Sequence, residues 1–209
     1  MKQDLYHWLY QADLFRENFV SYIALKNAML NIIKFYETVH TNSSKFVGPV
    51  NLHKMFIDPE NGRFEVEGGK DYIHDIDSIK FMPSEILNGQ NVWNIESDRF
   101  VLSELLFILK FLKHPFDGKK TLKNPITDSK KAKIIYANCK FIFDPESDEN
   151  GLEYSTDPEP IDAWKNESDD VLKDMFVKSF TLGFLNPNCR LSDRDWKNII
   201  SKTEILCLH

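Results

Sequence analysis

Apolar residues recur at every third or fourth position along much of the chain, which predicts a mainly helical fold. The longest such pattern covers residues 17–40, and its apolar face is formed by Tyr22, Leu25, Met29, Ile32, Ile33, Tyr36 and Val39. Residues 97–112 are apolar on nearly every side of a helix, a pattern typical of a helix buried all round. This second helix is therefore expected to be the axis around which the others pack. Shorter helical patterns lie elsewhere, at residues 3–15, 83–87, 169–182 and after Ser192.

A small β element is predicted between the two long helices. Residues 50–56 and 63–66 have strand-like composition, and the turn residues Asp-Pro-Glu-Asn-Gly at 58–62 separate them. An Asn-Gly pair between two short apolar runs is a strong hairpin signal. The two glycines at 68–69 end the second strand, and residues 70–80 are expected to be a loop.

Two local signals mark helix ends near the C-terminus. Gly183 is expected to end the helix that covers 169–182, because glycine is the common residue just past a helix. Ser192 is expected to cap the last helix, and Asp195, three positions later, completes a variant of the capping box. In that helix Trp196, Ile199 and Ile200 are expected to face inward.

The hydrophobic pattern weakens between residues 117 and 167. Residues 119–133 are basic, residues 144–159 are acidic, and residues 134–143 between them are expected to be extended. Runs of charge are usually solvated, so this stretch is interpreted as a charged insertion on the surface. The whole chain, residues 1–209, is expected to form one domain, since 209 residues suffice for a single core.

Composition narrows the function classes. Hydrophobic residues make up 42% and charged residues 28%, as in ordinary globular proteins, and the 16 Phe predict an aromatic-rich core. The net charge of −6 argues against a general nucleic-acid binder, which needs a basic face. No stretch is long and apolar enough for a membrane span. The three scattered cysteines fit reduced thiols in a cytoplasmic protein.

Residues of metal-ligand type occur close together in one part of the chain. They are His53, Asp58, His74, Asp75 and Asp77. No pair among them has a recognised ligand spacing on one helix face. They are therefore interpreted as separate polar surface residues, and no resident cofactor is expected.

Four short motifs occur in a fixed order along the chain. They are Met-Pro-Ser-Glu at 82–85, Ser-Asp-Arg-Phe-Val-Leu at 97–102, His-Pro-Phe-Asp-Gly at 114–118 and Asn-Pro-Asn-Cys-Arg-Leu-Ser at 186–192. The first resembles the Ala-Pro-Glu segment that closes a protein kinase activation loop. The others resemble the start of the central helix of a kinase C-terminal lobe and the segments that follow it. The nearest resemblance is to bacterial kinase-like proteins found beside stress-resistance genes, and it covers residues 3–205.

The resemblance implies a fold and two structural interactions. The fold is mainly α, a helical domain like the C-terminal lobe of a protein kinase, with a small two-stranded β element. Asp98, at the start of the central helix, is expected to brace the catalytic loop. Glu85 and Arg190 are expected to form a buried bidentate ion pair, although they are far apart in sequence.

The catalytic groups that the resemblance calls for are missing. A kinase needs His-Arg-Asp in the loop after the first long helix, and an Asn five residues after the Asp. By spacing, residues 47–49 replace His-Arg-Asp, so Pro49 stands where the catalytic Asp belongs and Lys54 where the metal-binding Asn belongs. Pro49 accepts no proton and Lys54 repels Mg²⁺. The resemblance also calls for an N-terminal lobe with a Gly-rich loop and a strand lysine, and these motifs do not occur among the 209 residues.

The metal-binding Asp-Phe-Gly motif has two possible registers. Spacing from Pro49 places Glu67 at the Asp position, with Gly68 and Gly69 after it. The alternative register uses Asp75 and Asp77, in the sequence Asp-Ile-Asp-Ser. Both registers stay open from the sequence, and in both the catalytic base is absent.

These observations lead to three hypotheses. The preferred one is a non-catalytic, pseudokinase-like binding or scaffold domain. Its partner is a protein or a second copy, bound through an exposed apolar patch that Tyr6, Trp8, Tyr10, Leu14 and Phe15 form on the aromatic N-terminal helix. The alternative is half of a split protein kinase, in which a separate polypeptide supplies the N-terminal lobe and Glu67 or Asp77 holds Mg-ATP. The third is an unrelated helical protein.

Overall fold

The computed structural model describes residues 2–10, 19–42, 45–67, 76–90, 92–124, 126–166 and 169–203. The described part is mainly helical with a small antiparallel sheet, as the sequence pattern predicts. Its helices are α1 (Leu5–Tyr10), α2 (Tyr22–Thr41), α3 (Ile76–Lys80), α4 (Ser84–Leu87), α5 (Ile95–Phe111), α6 (Lys119–Lys123), α7 (Ser129–Tyr136), α8 (Pro158–Asn166), α9 (Asp170–Phe180), α10 (Leu182–Leu185) and α11 (Asp193–Lys202). Short 3₁₀ helices lie at Leu52–Lys54 and Pro187–Cys189.

The sheet has three antiparallel strands, β1 (Gln3–Asp4), β2 (Met55–Asp58) and β3 (Arg63–Val66), in that order. The predicted hairpin is β2–β3, and its turn ends at Gly62, which has a φ of +76°. A Cβ there would lie 2.1 Å from the carbonyl oxygen of Ala24, so only glycine fits against α2. The predicted two-stranded element was wrong in two respects. The first strand covers Met55–Asp58 rather than residues 50–56, since Leu52–Lys54 form a 3₁₀ helix, and β1 adds a third strand that only two residues form.

Helix α5 is the buried axis that its all-round apolar pattern predicts. It begins at Ile95, two residues before the predicted start, because the Asn94 side chain and Ser97 form a capping box. It ends at Phe111, and the cap residue that follows, Leu112, has the left-handed conformation with a φ of 52°. The helices α2, α8 and α9 pack against it, and α11 packs on α2.

The core around α5 is rich in aromatic side chains, as the composition predicts. The Phe107 ring lies 4.6 Å from that of Phe111 and 5.4 Å from that of Phe141, measured between centroids. Two rings from α9, Phe176 and Phe180, close the cluster at 5.2 and 5.5 Å. Rings in edge contacts of this kind add to the free energy of burial, so this cluster is a main stabilising element.

The prediction that residues 117–167 form a surface insertion was wrong. Phe141 and Ala163 are fully buried in the core, and so is the polar Asn150. The Asn150 amide donates to the carbonyl oxygens of Phe116 and Lys140 at 2.9 and 2.8 Å, and its Oδ1 accepts from the Lys120 N–H at 3.0 Å. Residues 134–143 are not extended either, since α7 runs to Tyr136. Asn150 therefore ties this stretch to the end of α5.

Three smaller predictions were also wrong. Helix α2 begins at Tyr22, after an N-cap at Ser21, and the Tyr22 side chain is exposed rather than part of the apolar face. Residues 76–80 form helix α3 rather than a loop. Gly183 does not end a helix but lies inside α10. No helix among the described residues has the length and apolar character that crossing a membrane requires.

Candidate functional site

The loop at residues 47–54, which the resemblance relates to a kinase catalytic loop, is attached to the start of α5 through one carboxylate. Asp98 accepts the backbone N–H of Val47 through Oδ2 and that of Gly48 through Oδ1, the latter at 3.0 Å. The Trp93 indole N–H donates to Oδ1 at 2.6 Å. Gly48 has a φ of +94°, a conformation that a side chain disfavours. The predicted bracing of this loop by Asp98 is therefore present.

His40, at the end of α2, links Asp98 to a second carboxylate on α11. Its Nε2 lies 3.1 Å from Asp98 Oδ2, and its Nδ1 lies 2.6 Å from Asp193 Oδ2. Burial alone would lower the pKa of His40, but the hydrogen bonds to Asp193 and Asp98 raise it to about 9. A carboxylate facing each ring nitrogen requires a donor on both, which only the imidazolium provides. His40 is thus a buried cation at neutral pH.

Sequence reasoning missed His40 and Asp193. They are 153 residues apart, and they meet because α11 packs along α2. His40 lies in the last turn of α2, and Asp193 is the first residue of α11. Neither position stands out by composition, so only the packing of the helices reveals the pair.

The loop itself carries no proton acceptor at the position where a kinase has one. Pro49 lies between the braced Gly48 and the buried Val50, and its ring has no ionisable group. Lys54 closes the 3₁₀ helix that follows, and its carbonyl oxygen accepts the Glu67 N–H at 2.9 Å. Two positions that the resemblance relates to metal binding, Lys54 and Glu67, therefore lie side by side on adjacent chain segments.

The three candidate metal-binding acids have different surroundings. The Glu67 side chain is 62% exposed and lies 3.7 Å from the ammonium group of Lys2. Asp77 is half-buried in the first turn of α3. Asp75 lies outside the described residues. Of the three, Glu67 is the acid that the structure places beside the braced loop.

Glu85 and Arg190 form the predicted buried bidentate ion pair. The two guanidinium NH groups of Arg190 lie 2.7 and 2.8 Å from the two carboxylate oxygens of Glu85. Arg190 also donates to the carbonyl oxygens of Gly183 and Glu96, at 2.8 and 2.9 Å. A Cβ on Gly183 would lie only 3.2 Å from Arg190 Cγ, so glycine leaves room for this side chain. The pair joins α4, α5 and α10 in one place.

A second buried acid on α5 has no such partners. Glu104 is fully buried, and within the described part of the chain neither carboxyl oxygen has a hydrogen-bond partner. Burial raises its pKa well above the usual range, although Arg190 opposes the rise. His114 Nε2 lies 3.7 Å away, and burial lowers the pKa of His114 to about 4. Both groups are therefore neutral near neutral pH.

The N-terminal helix α1 buries more of its aromatic surface than the sequence predicts. Leu5 and Trp8 are 1% exposed, so neither belongs to an exposed patch. The Tyr6 ring packs on the His53 ring, with centroids 4.1 Å apart. Leu14 and Phe15, the other members of the predicted patch, lie outside the described residues. Trp8 is therefore not part of the expected docking surface on this helix. Self-association through the helix stays a prediction.

Comparison with models of known protein families and with curated proteins found no match for this chain.

Proposed function

We propose that this chain is a non-catalytic binding or scaffold domain of the kind formed by the C-terminal lobe of a pseudokinase. The observation that carries the proposal is the pair of long-range interactions that the kinase resemblance implies. Asp98 holds the backbone of the loop that precedes β2, and Glu85 forms a buried bidentate pair with Arg190. Asp98, Glu85 and Arg190 all lie in the short motifs that carry the resemblance. Both interactions join segments that are distant in sequence.

The absence of catalysis follows from the chemistry of the loop. Phosphoryl transfer depends on positioning and on electrostatic stabilisation of the transferred group by metal ions and cations. Pro49 accepts no proton, and Lys54 places a positive charge where Mg²⁺ would be held. The loop is attached to α5 but lacks both the proton acceptor and the metal ligand. It is therefore suited to binding a partner rather than to catalysis.

The binding surface is the side of the molecule formed by the braced loop and the adjacent β3 end. A kinase covers this side with its N-terminal lobe. Phe46, immediately before the loop, is 46% exposed, and Val66, immediately before Glu67, is 37% exposed. Exposed apolar side chains beside a rigid backbone segment are a common basis for protein recognition.

Binding of Mg²⁺-ATP, measured as a shift in the thermal unfolding midpoint, tests this proposal. We expect no shift at millimolar nucleotide, because a ligand stabilises a protein only if it binds the folded state. A catalytically competent protein kinase run in the same buffer provides the positive control. A nucleotide-dependent and Mg²⁺-dependent shift would contradict the scaffold assignment.

The alternative, half of a split kinase, is favoured by one observation: the Glu67 backbone is hydrogen-bonded to Lys54, so an acid lies beside the loop. In this case a separate polypeptide supplies the N-terminal lobe. The alternative requires Mg²⁺-ATP binding that Glu67→Gln abolishes. Lys2→Gln is the matched control, since it removes the cation beside Glu67 and leaves the acid in place.

A further inference from the structure

Two histidines and one aspartate from separate parts of the chain converge at the edge of the sheet. We infer that Asp4, His7 and His53 form a binding site for a divalent transition-metal ion of the zinc type. One ligand atom from each residue can be chosen so that all three lie within 4.8 Å of one another. This inference does not depend on the proposed function.

The fold explains why these residues meet. Asp4 is the last residue of β1, and it pairs with Phe56 on β2. His53 lies in the 3₁₀ helix just before β2, so the strand pairing brings it to Asp4, at 3.8 Å between His53 Nδ1 and Asp4 Oδ1. His7 is one helical turn beyond Asp4 on α1, with its Nδ1 2.6 Å from Asp4 Oδ2. The cluster is thus held by regular backbone structure on both sides.

The donor set selects the class of metal. Two imidazoles and one carboxylate suit zinc, copper, iron or nickel, whereas Mg²⁺ and Ca²⁺ prefer oxygen ligands alone. Three protein ligands leave the remaining coordination positions for water or a further ligand, as in zinc sites that are not purely structural. The side chains of His7 and His53 are 50% and 41% exposed, so an ion can enter from solvent.

The surroundings orient the ligands. The Tyr6 ring packs on His53 with centroids 4.1 Å apart, which fixes the plane of that imidazole. Lys2, a cation next to β1, lies 2.8 Å from Glu65 and so is directed toward another acid. Groups that fix a ligating imidazole commonly contribute to metal affinity.

Asp4 has a second role that the metal site must accommodate. Its Oδ1 accepts the His7 backbone N–H at 3.0 Å, as a helix-capping residue does. Its Oδ2 lies 2.6 Å from His7 Nδ1, so the two atoms share a hydrogen bond when no metal is bound. A bound metal ion would replace the proton between these two atoms. Ligand atoms around a tetrahedral zinc ion are about 3.3 Å apart, given bonds of about 2.0 Å. A rotation of the exposed His7 side chain provides this separation.

Titration of the full chain with Zn²⁺, followed by calorimetry in a reducing buffer, tests the inference. We expect one Zn²⁺ per chain, and a loss of affinity of at least about tenfold for each of His7→Gln, His53→Gln and Asp4→Asn. Asparagine also caps helices well, so Asp4→Asn removes the metal ligand and preserves the cap. In NMR spectra, Zn²⁺ should shift the ring signals of two of the six histidines.

Two control variants separate this site from non-specific binding. His209→Gln removes an imidazole outside the described residues, and Glu153→Gln removes an exposed carboxylate. Both should bind Zn²⁺ as the wild type does. Absence of stoichiometric binding by the wild type would overturn the inference. Equal affinity of the wild type and the three ligand variants, with circular dichroism showing all of them folded, would overturn it as well.

Discussion

Asp98 and Glu104 are both fully buried on helix α5, yet their surroundings differ completely. Asp98 accepts hydrogen bonds from two backbone N–H groups, from Trp93 and from the His40 cation. Glu104 has no hydrogen-bond partner in the described part of the chain, and its raised pKa keeps it neutral. Hydrogen-bond partners, rather than depth of burial, therefore decide whether an acid in this core binds other groups as a carboxylate or stays neutral.

Glu85 extends the comparison, because its partner is a guanidinium rather than a set of N–H donors. The pair with Arg190 is bidentate, and two further N–H donors of Arg190 bond to backbone carbonyls. Buried pairs of this kind contribute little net stability relative to an apolar pair, but removing one partner is costly.

Arg190→Ala should destabilise the protein by about 3–5 kcal/mol, since it leaves the Glu85 carboxylate buried without a partner. The free energy of unfolding from urea titration measures this loss. The matched control is Lys197→Ala, which breaks the exposed pair with Glu37 and should cost less than about 1 kcal/mol. Equal losses in the two variants would show that the Glu85 pair is no more than a surface contact.

Asp98→Asn should destabilise the protein by about 3 kcal/mol, because one amide oxygen cannot replace a carboxylate that serves several donors. The loop at 47–54 should lose protection in the same variant. Hydrogen exchange at the Val47 and Gly48 amides measures this directly, with the Asn94-capped start of α5 as an internal reference. Unchanged exchange at these two amides would contradict the bracing role.

Titration of His40 should make the free energy of unfolding depend on pH. Its pKa is about 9 in the folded protein and near 6.5 when unfolded, so its contribution is complete below pH 6.5 and is lost as pH rises through 9. The expected loss is about 2–3 kcal/mol, and His40→Gln should remove this part of the pH dependence. Denaturant midpoints of both proteins between pH 6 and pH 9.5 give the difference. Parallel curves would mean that His40 does not titrate as a buried cation.

Glu104→Gln should raise the free energy of unfolding at neutral pH, by less than the other substitutions change it. Because the pKa of Glu104 is raised in the folded protein, its contribution to the free energy of unfolding falls as pH rises above the pKa of the unfolded chain. Glutamine does not titrate and has no such loss. The gain should therefore grow with pH. Thermal unfolding at pH 5 and pH 8 measures it, and a stability loss that is the same at both values would indicate an ionised Glu104 with an essential partner.

Local patterns predicted the parts of the fold whose signals are short in range. The hairpin turn, the buried helix α5 and the Ser192–Asp195 capping box each depend on a few neighbouring residues, and all three are present. The Glu85–Arg190 pair was predicted through the family resemblance, because their separate motifs imply a common place in the fold.

The sequence could not reveal features that depend on packing between distant segments. Asn150 lies in an acidic run, and nothing local indicates that its amide satisfies three buried backbone groups. The meeting of His53 with Asp4 depends on a strand of two residues, too short for any hydrophobic period. For the same reason, His40 and Asp193 could be paired only after α2 and α11 were placed together.

Our proposal that this domain performs no phosphoryl transfer is tested with radiolabelled ATP. Purified protein is incubated with Mg²⁺-ATP and a generic mixture of protein substrates, beside a buffer blank. We predict incorporation no higher than the blank, because Pro49 supplies no base and Lys54 no metal ligand. Transfer above the blank that Glu67→Gln and Asp77→Asn together abolish would contradict the claim and favour a phosphotransferase.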